Sequence, residues 1–280
     1  MREGCAITLA WWHSEVPVPS RETLEARMPE SLPDLSLAEG ILFDLDGVLT
    51  PTAEVHMRAW QAVFDEVFAQ WGITPAYSDA DYYAYVDGKR RYDGVASLLH
   101  SRNVEVPWGD PGDAADAQTV CGIGNRKNDA FAAALRSGGV EPFPGSLALL
   151  EALREAGSPM GVVSSSSNAE EVLSTAGIRE FFTVVVDGNV AAREGLTSKP
   201  AADMFRAGAE RLGVAPGSSV AVEDAVSGVA SAVAAGFAAV VGVDRGAGAD
   251  ALRAAGATCI VDDLALLLPG ASATHNPETE

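Results

Sequence analysis

From residue 40 onward, short apolar runs alternate with longer segments whose apolar residues recur every three or four positions. "ILFDLD" (41–46) predicts a first strand. The stretch "VHMRAWQAVFDEVFAQWGI" then carries apolar residues at 55, 59, 60, 63, 64, 67, 68 and 71, the one-sided stripe of an amphipathic helix. Residues 75–140 are more aromatic and polar, with "WGDPGD" as a loop and "GNRKNDAFAAALRSGG" as a helix stopped by paired glycines. From Pro144 the alternation is regular. Strands are predicted at "PMGVVSS", "FFTVVVD", "SSVAVED", "FAAVVGVD" and "TCIVDD". The helices between them are "GSLALLEALREAG", "NAEEVLSTAGI", "PAADMFRAGAERLG", "AVSGVASAVAAG" and "ADALRAAG". Apolar strands spaced by amphipathic helices predict an α/β fold, a doubly wound parallel sheet of Rossmann-like type with both faces covered. A helical insert follows its first strand. The expected division is an N-terminal extension over 1–36, a core over 37–56 and 142–268, a helical cap over 57–141 and a disordered tail over 269–280.

Composition changes this picture mainly by exclusion. The net charge is −20, which disfavours nucleic acid and anionic lipid surfaces, so neither a nucleic-acid nor a membrane partner is expected. No apolar run reaches the roughly 18 residues of a membrane span. The N-terminus lacks a clean signal-peptide pattern. Cys5, Cys121 and Cys259 are scattered without metal-ligand spacing, which suits reduced thiols in a cytoplasm. Lys89, Lys127 and Lys199 are the chain's three lysines beside 16 arginines, and two of them sit in the dense cationic stretches "GKRRY" and "GNRKN" of the cap.

Ligands of open α/β sheets bind beyond the carboxyl ends of the strands. The residues expected there are Asp44, Asp46 and Thr50, then Ser164, Ser165, Ser166 and Asn168, then Lys199 with Pro200 in a first helical turn, then Glu223 and Asp224. Asp44 and Asp46, two apart on a strand, would point the same way. Four carboxylates converging with a lysine and hydroxyls require a bound cation, and hard oxygen ligands suit Mg²⁺. Taken singly, each residue has a plainer reading as a helix cap, a turn or a solvated charge; the combination in chain order is harder to explain so.

That series resembles the four motifs of the haloacid dehalogenase superfamily over about residues 40–265. The resemblance implies that Asp44 is a nucleophile taking up a phosphoryl group and Asp46 a general acid/base. Ser164 and Lys199 would hold the phosphoryl oxygens, and Glu223 with Asp224 would complete a Mg²⁺ site shared with Asp44 and Asp46. Phosphoryl transfer is mostly positioning and charge neutralisation, and these residue types supply both.

Within the superfamily the chain is most similar to the β-phosphoglucomutase-like branch. That similarity implies Thr52 near the phosphoryl site and His56 bonded to the acid/base region. Arg91 would grip a distal phosphate, Lys127 would contact the sugar, and Ser164–Ser166 with Asn168 would receive the non-transferring phosphate. Pro51, Ser167 and Tyr92–Asp93–Gly94 depart from the branch's pattern. The expected substrate is a small sugar phosphate and the expected protein a monomer. A phosphatase of the same fold would need the same core residues. A non-catalytic sugar-phosphate sensor would be expected to lack Asp44 or the acidic pair, and both are present.

Overall fold

The computed structural model describes residues 32–268. Six parallel strands lie in the order β3-β2-β1-β4-β5-β6. The central one, β1 (Ile41–Phe43), pairs with β2 (Met160–Val163) on one side and β4 (Val220–Glu223) on the other, Phe43 being level with Val162 and Val222. Beyond them lie β3 (Val184–Val186), β5 (Ala239–Val243) and β6 (Cys259–Val261). The chain order reverses between β1 and β4, the switch point at which a crevice opens above such a sheet.

Both faces of the sheet are covered. Ile41 and Phe43 point into a cluster with Leu149, Leu150 and Leu153 of helix Pro144–Glu155 and Val172 and Leu173 of helix Ala169–Thr175. Leu42, between them, points to the opposite face. There it meets Met204, Phe205 and Ala209 of helix Asp203–Leu212, and Val229 and Ala232 of helix Val226–Ala235. This is the period-two alternation of a strand buried on both sides. The last helix of the core, Ala249–Ala255, adds Leu252 to the second face.

The insert is a separate small core. Helix α1 (Thr52–Trp71) carries the predicted stripe, with Ala59, Trp60, Val63, Phe64, Val67 and Phe68 buried. Trp60 to Phe68 pack with Val95, Leu98 and Leu99 of α2 (Arg91–Ser101) and with Val120 and Ile123 of α3 (Val120–Gly138).

Several expectations are corrected. The first strand ends at Phe43, not at Asp46, because Gly47 takes φ +83° and the chain turns there, Asp46 bridging back to Thr50. Pro200 does not sit in a first helical turn; its helix begins at Asp203. A helix at Gly188–Glu194, capped by the Asp187 side chain on the Val190 N–H, was not predicted. The 36/37 boundary falls inside a 3₁₀ turn, Leu35–Leu37, whose Leu35 is part of the core. Residues 1–31 and the predicted tail lie outside the described residues.

Candidate active site

The register of β1, β2 and β4 sets Asp44 level with Val163 and Glu223 at the switch point, with Ser164 one residue further on. The Asp44 N–H donates to the Val222 carbonyl at 2.9 Å and the Ser164 N–H to that of Val186 at 3.0 Å, so the pairing runs one residue past each strand. Lys199 reaches this level from the loop before helix Asp203–Leu212. Its ammonium is completely buried and donates to Asp44 Oδ1 and Glu223 Oε1, both at 2.6 Å, and to the Val163 carbonyl at 3.0 Å. All three protons of the amine are thus directed, which fixes it as a charge between two carboxylates.

Oxygens of Asp44, Glu223 and Asp224 lie within 4.8 Å of one another. Burial pushes the carboxyls of Asp44 and Asp224 well above the usual range, the neighbouring carboxylates add to the rise, and for Asp44 the Lys199 charge opposes it. Burial by itself would lower the Lys199 amine, but Asp44 and Glu223 outweigh burial, raise it above its ordinary value and hold it charged. Three buried carboxylates against one ammonium leave an excess of negative charge, and three hard oxygen donors in one place fit a divalent cation such as Mg²⁺.

The Asp46 carboxylate is not in that group, which corrects the expected side-by-side arrangement of Asp44 and Asp46. The strand ends at Phe43, so Asp44 and Asp46 are not held to one side by the alternation of a strand. Asp46 accepts from Thr52 Oγ1, lies 3.4 Å from Ser164 Oγ, and has His56 Nε2 at 3.3 Å, close enough for charge interaction without hydrogen-bond alignment. Burial would raise this carboxyl, but His56, Thr52 and Lys127 together hold it down at about 2. Gly47 permits the separation. A Cβ there would lie 1.8 Å from Asp224 Oδ2, so the Asp-Gly turn is tied to the acidic pair by sterics as well as by φ.

Behind Asp46 stands a stack from the cap. His56 lies one turn into α1 and stacks on Phe131, with ring centroids 3.9 Å apart. Lys127, from α3, directs its amine at His56 Nδ1 and sits 5.0 Å from the ring centres of both Trp60 and Phe131. Burial, with help from Arg91, lowers Lys127 to about 7. Lys127 lines the cavity, and its amine is engaged by His56. A stability test follows. Between pH 7 and 10.5 the unfolded chain holds a proton on Lys127 that the folded protein lacks, so stability falls as pH falls through that window. Its slope is about 1.4 kcal/mol per pH unit for one proton. Lys127→Met should remove that slope, measured by urea unfolding at pH 9.5 and 7.5; an unchanged slope would assign it elsewhere.

The cavity between cap and core is lined by Asp44, Asp46 and Ser164–Asn168 from the core and by His56, Arg91, Lys127 and Asn128 from the cap. The Ser164 hydroxyl accepts from the Ser166 N–H and that of Ser166 from the Asn168 N–H, a nested turn. The Asn168 amide donates to Asn128 Oδ1 of the cap at 2.9 Å. Arg91 donates to Tyr92 Oη at 3.1 Å, and its Nε is buried without a partner. The sequence reading missed Asp87, whose carboxyl burial and Glu223 push up to about 7, and Tyr82 beside it; both line the cavity. The Asp87–Gly88 turn signal ahead of "KRR" was the available cue.

A family profile described as haloacid dehalogenase-like hydrolase matches residues 38–236. The chain belongs to this family. A β-phosphoglucomutase of Mycobacterium bovis is 48% identical over 236 residues, covering 81% of this chain and 90% of that protein. One from Bacillus subtilis is 30% identical over 208 residues, covering 74% and 84% respectively. Among solved structures, CbbY from Rhodobacter sphaeroides in complex with phosphate superposes with a TM-score of 0.63 at 28% identity, covering 82% of this chain and 96% of that one. The Clostridium difficile β-phosphoglucomutase superposes at 0.67 with 24% identity, covering 82% and 93%, a likeness of fold. The chain is an enzyme of this family's β-phosphoglucomutase-like branch. Among the described residues, no helix is long and apolar enough to cross a membrane.

Proposed function

We propose that the protein is a Mg²⁺-dependent sugar-phosphate mutase that converts β-glucose 1-phosphate to glucose 6-phosphate through the 1,6-bisphosphate. The observation that carries this reading is a cavity with phosphoryl-transfer groups on its core wall and the Arg91 guanidinium, with the Lys127 amine near it, on its cap wall. A substrate with an anionic group at each end fits that distribution, and a single phosphate does not require it. The 48% identity to a protein named β-phosphoglucomutase supports the same choice.

On this reading Asp44, Glu223 and Asp224 hold the cation, which neutralises charge on the transferring phosphoryl group. Lys199 holds Asp44 in place and adds positive charge beside it, while Ser164 offers a hydroxyl to the phosphoryl oxygens. An Asp44 oxygen bonds to phosphorus as the bond from phosphorus to the sugar oxygen breaks. Asp46, kept ionised by His56 and Thr52, takes the proton from the sugar hydroxyl that attacks the phosphoenzyme, and returns it to the leaving oxygen in the other half-reaction. The half-buried Arg91, whose guanidinium lines the cavity, holds the second phosphate.

The test is ³¹P NMR of the protein with Mg²⁺ and β-glucose 1-phosphate, primed with glucose 1,6-bisphosphate. Glucose 6-phosphate with little inorganic phosphate is the expected product. Inorganic phosphate as the main product would replace the mutase with a sugar-phosphate phosphatase of the same fold. Arg91→Ala should lower kcat/KM by about 10- to 100-fold, the scale of losing charge-assisted hydrogen bonds. It should also raise the share of inorganic phosphate; a variant with wild-type kinetics would take the second phosphate away from Arg91.

A further inference from the structure

The three core loops that carry the candidate chemistry each send one serine to the same short stretch of cap. Ser165, next to Ser164, donates to the Gly88 carbonyl at 2.7 Å. Ser227, three residues past Asp224, donates to the Asp87 carbonyl at 2.9 Å. Ser198, next to Lys199, accepts from the Arg90 N–H at 3.1 Å. The Arg90 guanidinium adds a bond to the Leu196 carbonyl at 3.0 Å. Gly88 makes the approach possible: at φ +68°, a Cβ would sit 2.2 Å from Ser227 Oγ and 3.0 Å from Ala225 Cβ.

These contacts are between a hydroxyl on one domain and main chain on the other, so they exist only while the cap lies against the core. Three bonds reaching three separate loops are satisfied together in one relative orientation. Losing any one leaves a half-buried main-chain group without its partner, which shifts a closed–open equilibrium by roughly five- to tenfold. The hydroxyl of Ser165 is therefore committed to the cap.

We propose that Asp87–Arg90 is a docking strip, and that Ser165, Ser198 and Ser227 are positioning residues that register the cap on the loops bearing Ser164, Lys199 and Asp224. Their joint engagement sets whether the phosphoryl group passes to a sugar hydroxyl or to water. Either way the bond from Asp44 to phosphorus breaks, a new bond forms from phosphorus to the incoming oxygen, and that oxygen's proton goes to Asp46. The docking itself does not depend on the substrate; the consequence for the acceptor rests on the function proposed above.

The experiment has two arms on the full chain. Hydrogen exchange is followed with Mg²⁺ and no sugar phosphate in wild type, in the triple variant S165A/S198A/S227A, and in Gly88→Ala, which keeps all three serines. Amides of residues 87–91 should exchange at least about tenfold faster in both variants, with those of β1 and β4 unchanged. Unchanged exchange at 87–91 in both folded variants would overturn the docking strip. The ³¹P assay then reads product partition, with the inorganic phosphate share expected to rise in both variants. Faster exchange with an unaltered partition would overturn the role in acceptor choice. A wild type that yields inorganic phosphate alone would sink the mutase reading, leaving the strip to stand or fall on the exchange data.

Discussion

Asp44→Asn is expected to lower turnover by roughly 10⁵-fold or more, the scale on which removing a nucleophile acts, and to leave the protein folded. Asparagine keeps the shape of the side chain but offers no carboxylate oxygen to bond to phosphorus. The effect on stability should run the other way. Asp44 is a buried carboxyl raised by desolvation and by its acidic neighbours, so its ionised form opposes folding at neutral pH when no cation is bound. Lys199 retains Glu223 as an ion partner in the variant. In EDTA the melting temperature of Asp44→Asn should therefore equal or exceed that of wild type, and the gain in melting temperature on adding Mg²⁺ should shrink, because one of three charged carboxylate donors becomes a neutral amide. Calorimetry in EDTA and in Mg²⁺ measures both. A variant that turns over at more than a few per cent of wild type would remove Asp44 from the nucleophile's role. One that melts well below wild type in EDTA would mean that the pair with Lys199 outweighs the repulsion.

The opposite stability result is expected of Lys199→Met. This ammonium is the positive charge in direct contact with Asp44 and Glu223, and it is completely buried. Taking it away leaves two buried carboxylates facing each other, a change that costs about 3–5 kcal/mol when one partner of a buried ion pair is removed. The loss should be largest in EDTA and partly restored by Mg²⁺, since a bound cation stabilises the folded state that holds it. Urea unfolding with and without Mg²⁺ decides the matter. Activity should fall with the stability restored, because Asp44 would no longer be held in line. Equal stability to wild type in EDTA would show that the acids of the cluster take up protons instead of ions, and the charge argument for the cation would weaken with it.

Much of the fold was legible in the pattern of apolar residues. The strands at 41, 160, 184, 220, 239 and 259 are apolar on both faces, and such runs can be buried only between two helical layers. The stripe on α1 likewise announced a helix with one buried side, and Trp60, Phe64 and Phe68 occupy it. The elements misread were those decided by chain turns. Helix Gly188–Glu194 has a weak apolar stripe and is held by an Asp187 cap; Pro200 is followed by a turn before its helix begins.

The residues at strand ends could be named from the sequence because a parallel sheet places every carboxyl end on one edge. The direction of each side chain could not. Asp44 and Asp46 differ by two positions, yet one faces Lys199 and the other faces His56, since the strand ends at Phe43, before either of them, and the chain turns at Gly47, where the Asp224 carboxylate leaves no room for a larger residue. Lys127 was legible as a cap cation, but its place against His56 and Trp60 joins it to residues 71 and 67 positions earlier in the chain. Ser165 was read as part of a phosphate-receiving loop, and Asp87, Ser198 and Ser227 carry no motif of their own. They acquire a role when cap and core meet.

The order of apolar and polar residues alone determined the layers, the edge on which the polar groups gather and the kinds of chemistry they can perform. Tertiary structure decided which carboxylate pairs with which cation, which hydroxyl is spent on the cap and which acid stays ionised. The reason is physical: periodicity is a local property of the chain, whereas charge pairing, burial and the pKa values they set depend on neighbours that only folding brings within a few ångströms.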